Sequence, residues 1–127
     1  MPVKNVFEYA VIRVVPRVER EEFINVGVIL FCKTARYLQC IIQVDDVRLA
    51  AFSNALDIEN VKANLHAFAE ITKGNTNCGP IAVLDEASRF RWLTATRSTV
   101  VQASKVHPGL SADCDKTLQR LFEEMVG

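Results

Sequence analysis

Residues 7–31 read FEYAVIRVVPRVEREEFINVGVILF: two apolar runs joined by a charged connection that opens with Pro16. This pattern predicts a β-hairpin and is the densest strand signal in the chain. The first run, Phe7 to Val15, is rich in aromatic and β-branched residues, which suit a pleated surface. Phe7, Tyr9, Val11, Arg13 and Val15 fall on one face; Glu8, Ala10, Ile12 and Val14 fall on the other. Both faces are largely apolar, so the strand is expected to be central and covered on both sides. Pro16, which cannot donate to a ladder, ends it. Residues 17–22 form the polar tip, and Ile24 to Phe31 is the return strand. Gly27 interrupts that strand, and a packing role is favoured over close approach to a ligand.

Two polar residues stand out in the hairpin. Arg13 lies on the Phe7–Tyr9–Val11 face, where a buried guanidinium needs partners. Glu21 and Glu22 are the candidate partners, and the alternative is an arginine at the strand end with a packed stem and a solvated head. Asn25 starts the return strand, close to the tip.

Outward from the hairpin, Tyr37 to Val44 reads as a third strand, and short links favour an antiparallel meander. Asp45 and Asp46 offer an N-cap to a short helix over 47–54. The clearest helix starts at Asp57 and stops at Gly74, with Ile58, Val61, Leu65, Phe68 and Ile71 as its apolar stripe. His66 lies off the stripe and reads as a solvated helix residue. Residues 75–80 are a turn-rich loop. A helix over 85–93 is preferred to a strand over 90–96. Residues 98–104 read as a fourth strand and 106–110 as a turn. Ser111 is the expected cap of a last helix with Leu118, Leu121, Phe122 and Met125 as its stripe. The expected fold is therefore a single α+β domain over 1–127. Its small, mostly antiparallel four-stranded sheet carries two main helices, Asp57–Lys73 and Ala112–Val126.

Fifteen basic residues balance fifteen acidic ones, so global charge gives nucleic-acid binding no support. Half the 127 residues are apolar, and no apolar run approaches the length of a membrane span. The opening MPVKNVFEYAVIRVVPR has no small-residue cleavage site, so no signal peptide is expected. The cysteines, Cys32, Cys40, Cys78 and Cys114, show no CxxC spacing. Free thiols in a reducing cytoplasm are the expectation. With only His66 and His107 to join them, no metal site is expected, and no cofactor motif is present.

The run from Arg89 to His107 holds the other candidates. Arg89, Arg91 and Arg97 around Trp92 suit phosphate binding or base stacking, against the plain alternative of a solvated face. His107 is a candidate acid or base that Asp113 could orient. Ser98 lacks the glycines of a nucleophile elbow, which excludes a serine-hydrolase reading. Arg13, Arg97 and His107, with Asn25 at the rim, are the candidate binding residues, expected near one end of the sheet. The weak link is that Arg97 and His107 flank the fourth strand, whose full length is about 20 Å.

The blocks FEYAVIRVVP, REEFINVGVILF, SRFRWLTATRSTVVQ and VHPGLSADC, spread over nearly the whole chain, resemble the bacterial family named domain of unknown function 3037. Where the family has a proline in an SADP-like block, this chain has Cys114. The resemblance implies no activity. It does imply a context, because such genes often lie beside genes for HipA-like kinases. Two function classes follow. One is an interaction or accessory module for a partner protein, such as a HipA-like kinase, with homo-oligomers compatible. The other is a phosphate, nucleotide or nucleic-acid site built on the Arg/His residues. A deep pocket joining those residues would favour the second; a flat apolar patch would favour the first.

Overall fold

The computed structural model describes residues 3–15, 23–52, 57–75, 79–95 and 100–126. The hairpin is there: β1 (Asn5–Val14) pairs antiparallel with β2 (Ile24–Cys32), from Glu8 opposite Phe31 to Val14 opposite Ile24. A bulge near Ile12 and Arg13 shifts the register by one residue on β2, so that Arg13 faces Asn25. β3 (Tyr37–Ile42) pairs antiparallel with β2, as the meander reading expects.

On the other side of β1 the sheet departs from the four-strand expectation. β4 is short, Val101–Ala103, and pairs with the Ile12–Val14 end of β1. The chain then bends, and Ser104 Oγ accepts the Val11 N–H at 2.8 Å. Residues 107–111 form a fifth strand, β5 (His107–Ser111), which pairs with β1 from Tyr9 opposite His107 to Asn5 opposite Ser111. This corrects the reading of 106–110 as a turn. Pro108 and Gly109 lower strand propensity, but β5 is an outer strand, where proline is tolerated. Gly109 has a packing role: a Cβ there would come within 2.5 Å of the Phe7 ring. The resulting sheet is β3-β2-β1, with β4 and β5 sharing the far side of β1.

The helices cover both faces. On one face lie α1 (Asp46–Phe52), α2 (Ile58–Lys73) and α3 (Glu86–Thr94), a 3-10 turn over Pro80–Val83 preceding the last. The core there holds Ala10, Ile12, Val14, Ile29, Leu65 and Phe90. Local signals set the helix ends. Asp57 Oδ1 accepts the Asn60 N–H, and Gly74 takes the left-handed conformation that closes α2. Asp45 caps α1 through the Arg48 N–H, and Asp85 caps α3 through the Ser88 N–H. The helix preferred over 85–93 is thus present.

On the other face lies α4 (Cys114–Met125), packed mainly on β2 and β3. Leu118 and Leu121 meet Phe7, Val28, Leu30 and Cys32 in a second core. Asp113, not Ser111, caps α4, accepting the Lys116 N–H at 3.2 Å. Ser111 Oγ instead accepts the Asp113 N–H and bonds the Thr117 hydroxyl. Cys114 therefore starts the helix, with its cap one residue earlier. Gly27 is explained by packing: a Cβ there would meet the Ile41 carbonyl oxygen at 2.4 Å.

Candidate functional site

The odd-numbered residues of β1 face α4, so Tyr9, Val11 and Arg13 share that side of the sheet. Cross-strand partners share a face. Asn25 on β2 and Gln102 on β4 therefore flank Arg13, and His107 on β5 flanks Tyr9. Arg13 and Gln102 are half-buried and His107 is exposed, forming a polar shoulder beside the C-terminal end of α4.

Arg13 is the least satisfied group on this shoulder. Its guanidinium carbon sits 4.0 Å from the centre of the Phe23 ring, a cation–π contact. Its Nε is buried without a hydrogen-bond partner. No ion pair to Arg13 occurs among the described residues, and Glu21 and Glu22 lie outside them. Burial pulls the Arg13 pKa down, although a guanidinium stays charged. Asn25 Nδ2 donates to the Met125 carbonyl at 3.1 Å, which fixes the orientation of the amide. Its Oδ1 is then left buried and without a partner. The Met125 carbonyl belongs to the negative end of α4, which favours a cation next door.

The remaining expected residues separate from this pair. His107 stands opposite Tyr9, four residues along β1 from Arg13, a spacing of about 13 Å. Its ring packs against Tyr9 with centroids 5.3 Å apart. Asp113 is taken up by the α4 cap and does not orient His107. Arg97 lies outside the described residues. Arg89 ties the ends of two helical segments together, donating to the Leu84 carbonyl at 2.6 Å and the Thr72 carbonyl at 3.5 Å. Arg91 makes a two-point pair with Glu8 on the opposite face, at 2.8 and 2.6 Å. Phe23 and Gln102 were not singled out by the sequence reading. Phe23 carried a signal, being the aromatic two residues before Asn25; Gln102 became visible only through β4 pairing.

The arrangement suits recognition of an anion or an acidic side chain. Arg13 offers fixed N–H donors and Phe23 an apolar ring, while the unmet Asn25 Oδ1 is an acceptor that would meet a donor on the same ligand. A cavity of about 230 Å³ sits between α2 and α3, lined by Phe68, Ile71, Trp92 and Leu93. No group of three or more His, Cys, Asp or Glu among the described residues is placed to hold a metal ion. No helix among them is long and apolar enough to cross a membrane.

Compared with known proteins, residues 9–126 match the model of one family, described as protein of unknown function (DUF3037). No curated protein and no solved structure matches the chain.

Proposed function

We propose that this chain, which belongs to the DUF3037 family of proteins of unknown function, is a single-domain interaction module that holds an acidic segment of a partner protein on the shoulder around Arg13. One observation carries the reading: Arg13 keeps a buried, unpartnered Nε beside Asn25, over the Phe23 ring. With no carboxylate paired to it among the described residues, Arg13 is complementary to one supplied by a partner. An arginine stacked on an aromatic ring is a composition in which binding energy concentrates. The family resemblance makes a HipA-like kinase the first partner to try, and the cytoplasm the compartment in which they meet.

The second reading, a phosphate-bearing ligand, draws on the same Arg13–Asn25 pair. Affinity purification from the native host, with mass spectrometry of bound proteins and small molecules, separates the two. Wild type and Arg13→Ala serve as baits. The module reading expects one protein retained by wild type and lost from Arg13→Ala. Calorimetry with that purified protein should then show at least tenfold weaker binding for the variant, about 1.4 kcal/mol. A phosphorylated small molecule retained by wild type alone would establish the second reading. Identical captures by both baits would sink both.

A further inference from the structure

Two neighbouring contacts tie the first turn of α4 to the sheet, and one of them is between thiols. Cys32 ends β2 and stands opposite Tyr37 on β3. The Tyr37 hydroxyl donates to Asp115 Oδ1 at 2.7 Å, which sets the turn carrying Cys114 beside that strand pair. Cys114 packs against the second core, of which Cys32 is a member, and its thiol hydrogen-bonds to the Cys32 thiol. Cys32 Sγ in turn donates to the Val6 carbonyl at 3.4 Å. Its hydrogen therefore points to β1, and its sulfur lone pairs are left to face Cys114.

Exposure separates the two thiols. Cys32 is 0% exposed, whereas Cys114 is half-buried at the start of the helix. A small oxidant can reach Cys114 alone, and the sulfur next to it belongs to Cys32. We propose that Cys32 and Cys114 are a reversible disulfide site, closed by a peroxide and opened by a dithiol reductant, which locks the start of α4 to the end of β2.

The closure balances in two steps. Cys114, as thiolate, attacks one peroxide oxygen. The O–O bond breaks, Cys114 becomes a sulfenic acid, and the released hydroxide leaves as water with the Cys114 proton. Cys32 then attacks the Cys114 sulfur. The S–S bond forms, the S–O bond breaks, and the second hydroxide leaves as water with the Cys32 proton. The thiol pair is oxidised by two electrons and the peroxide is reduced to water. Burial, then neighbouring Cys32, holds Cys114 protonated at neutral pH, so closure answers a sustained oxidant and not a brief pulse. Neither thiol belongs to the Arg13 shoulder, so the lock stands or falls apart from the function proposed above.

Peptide mapping of the full chain tests it. The four cysteines fall in four tryptic peptides: Cys32 in 21–33, Cys40 in 37–48, Cys78 in 74–89 and Cys114 in 106–116. Folded protein treated with hydrogen peroxide, alkylated and digested without reductant should yield 21–33 joined to 106–116. Dithiothreitol should separate the two. The closed protein should melt about 5–15 °C higher than the same sample after dithiothreitol, because a disulfide restricts the unfolded chain. Cys114→Ser should give no joined peptide; if that variant does not fold, the wild-type map and melting decide alone. A 106–116 peptide that gains oxygen without joining 21–33 overturns the proposal. So does Cys114 joined in comparable yield to Cys40 or Cys78, or a joined pair that melts no higher than its reduced form.

Discussion

Arg13 and Asn25 face each other across the β1–β2 ladder, and each leaves one buried polar atom, Nε and Oδ1, without a hydrogen-bond partner. A buried polar atom left unmet costs about 1–3 kcal/mol.

Arg13→Met keeps the stem over Phe23 and removes the charge. Its stability to urea should equal that of wild type or exceed it by about 1 kcal/mol, since a desolvated cation is replaced by an apolar group. Partner binding should fall in the same variant. A loss of more than about 1 kcal/mol in the unfolding free energy would make Arg13 a structural residue instead.

Gly27→Ala should separate β2 from β3. The added Cβ would lie 2.4 Å from the Ile41 carbonyl oxygen, and a backbone atom cannot swing aside as a side chain can. Overpacking of this kind costs about 1–3 kcal/mol. Hydrogen exchange should speed up at Val28 and Ile41 before it does at β1. Unchanged exchange there would refute the packing role.

Leu65→Ala should cost about 2–5 kcal/mol in chemical denaturation, as for other large-to-small core changes. Leu65 is 2% exposed and belongs to the core between α2 and the sheet. A variant as stable as wild type would contradict the packing of α2.

The thiols give a pH test. Cys32, Cys40 and Cys114 are free, and Cys78 lies outside the described residues. Titration of the unfolded, unreduced protein should count four thiols. Burial, then neighbouring Cys32, pushes Cys114 from an ordinary value near 9 up to about 11. A raised folded-state pKa gives stability that is complete below the ordinary value and lost as pH rises through the folded one. Stability should therefore fall between about pH 9 and 11, and less steeply in Cys114→Ala. Alkylation of Cys114 in the folded protein should be slow at neutral pH. An identical slope in the variant would remove Cys114 as the cause.

Local patterns carried much of this fold. The alternation in 7–31 and the three- and four-residue spacing from Ile58 to Ile71 each need only neighbouring residues to be read, because the strand and helix periods are local properties of the backbone. Asp57, Asp45 and Gly74 were legible as helix ends for the same reason: a cap bonds within its own turn. The Asn25 position near the hairpin tip and Arg13 on an apolar face were also visible as chemical anomalies.

Tertiary pairing decided the rest. His107–Ser111 carries a proline and a glycine and becomes a strand only because β1 supplies its ladder. The Val11 N–H meets Ser104 Oγ across 93 residues of sequence, a contact no local window contains. That bend and β5 set His107 beside Tyr9 instead of Arg13, and they brought Gln102 to Arg13. By itself the sequence determined which segments are strands and helices wherever the signal repeats along the chain. The order of the strands and the company of Arg13 were decided by the tertiary structure, because those contacts join residues whose separation along the chain leaves no periodic trace.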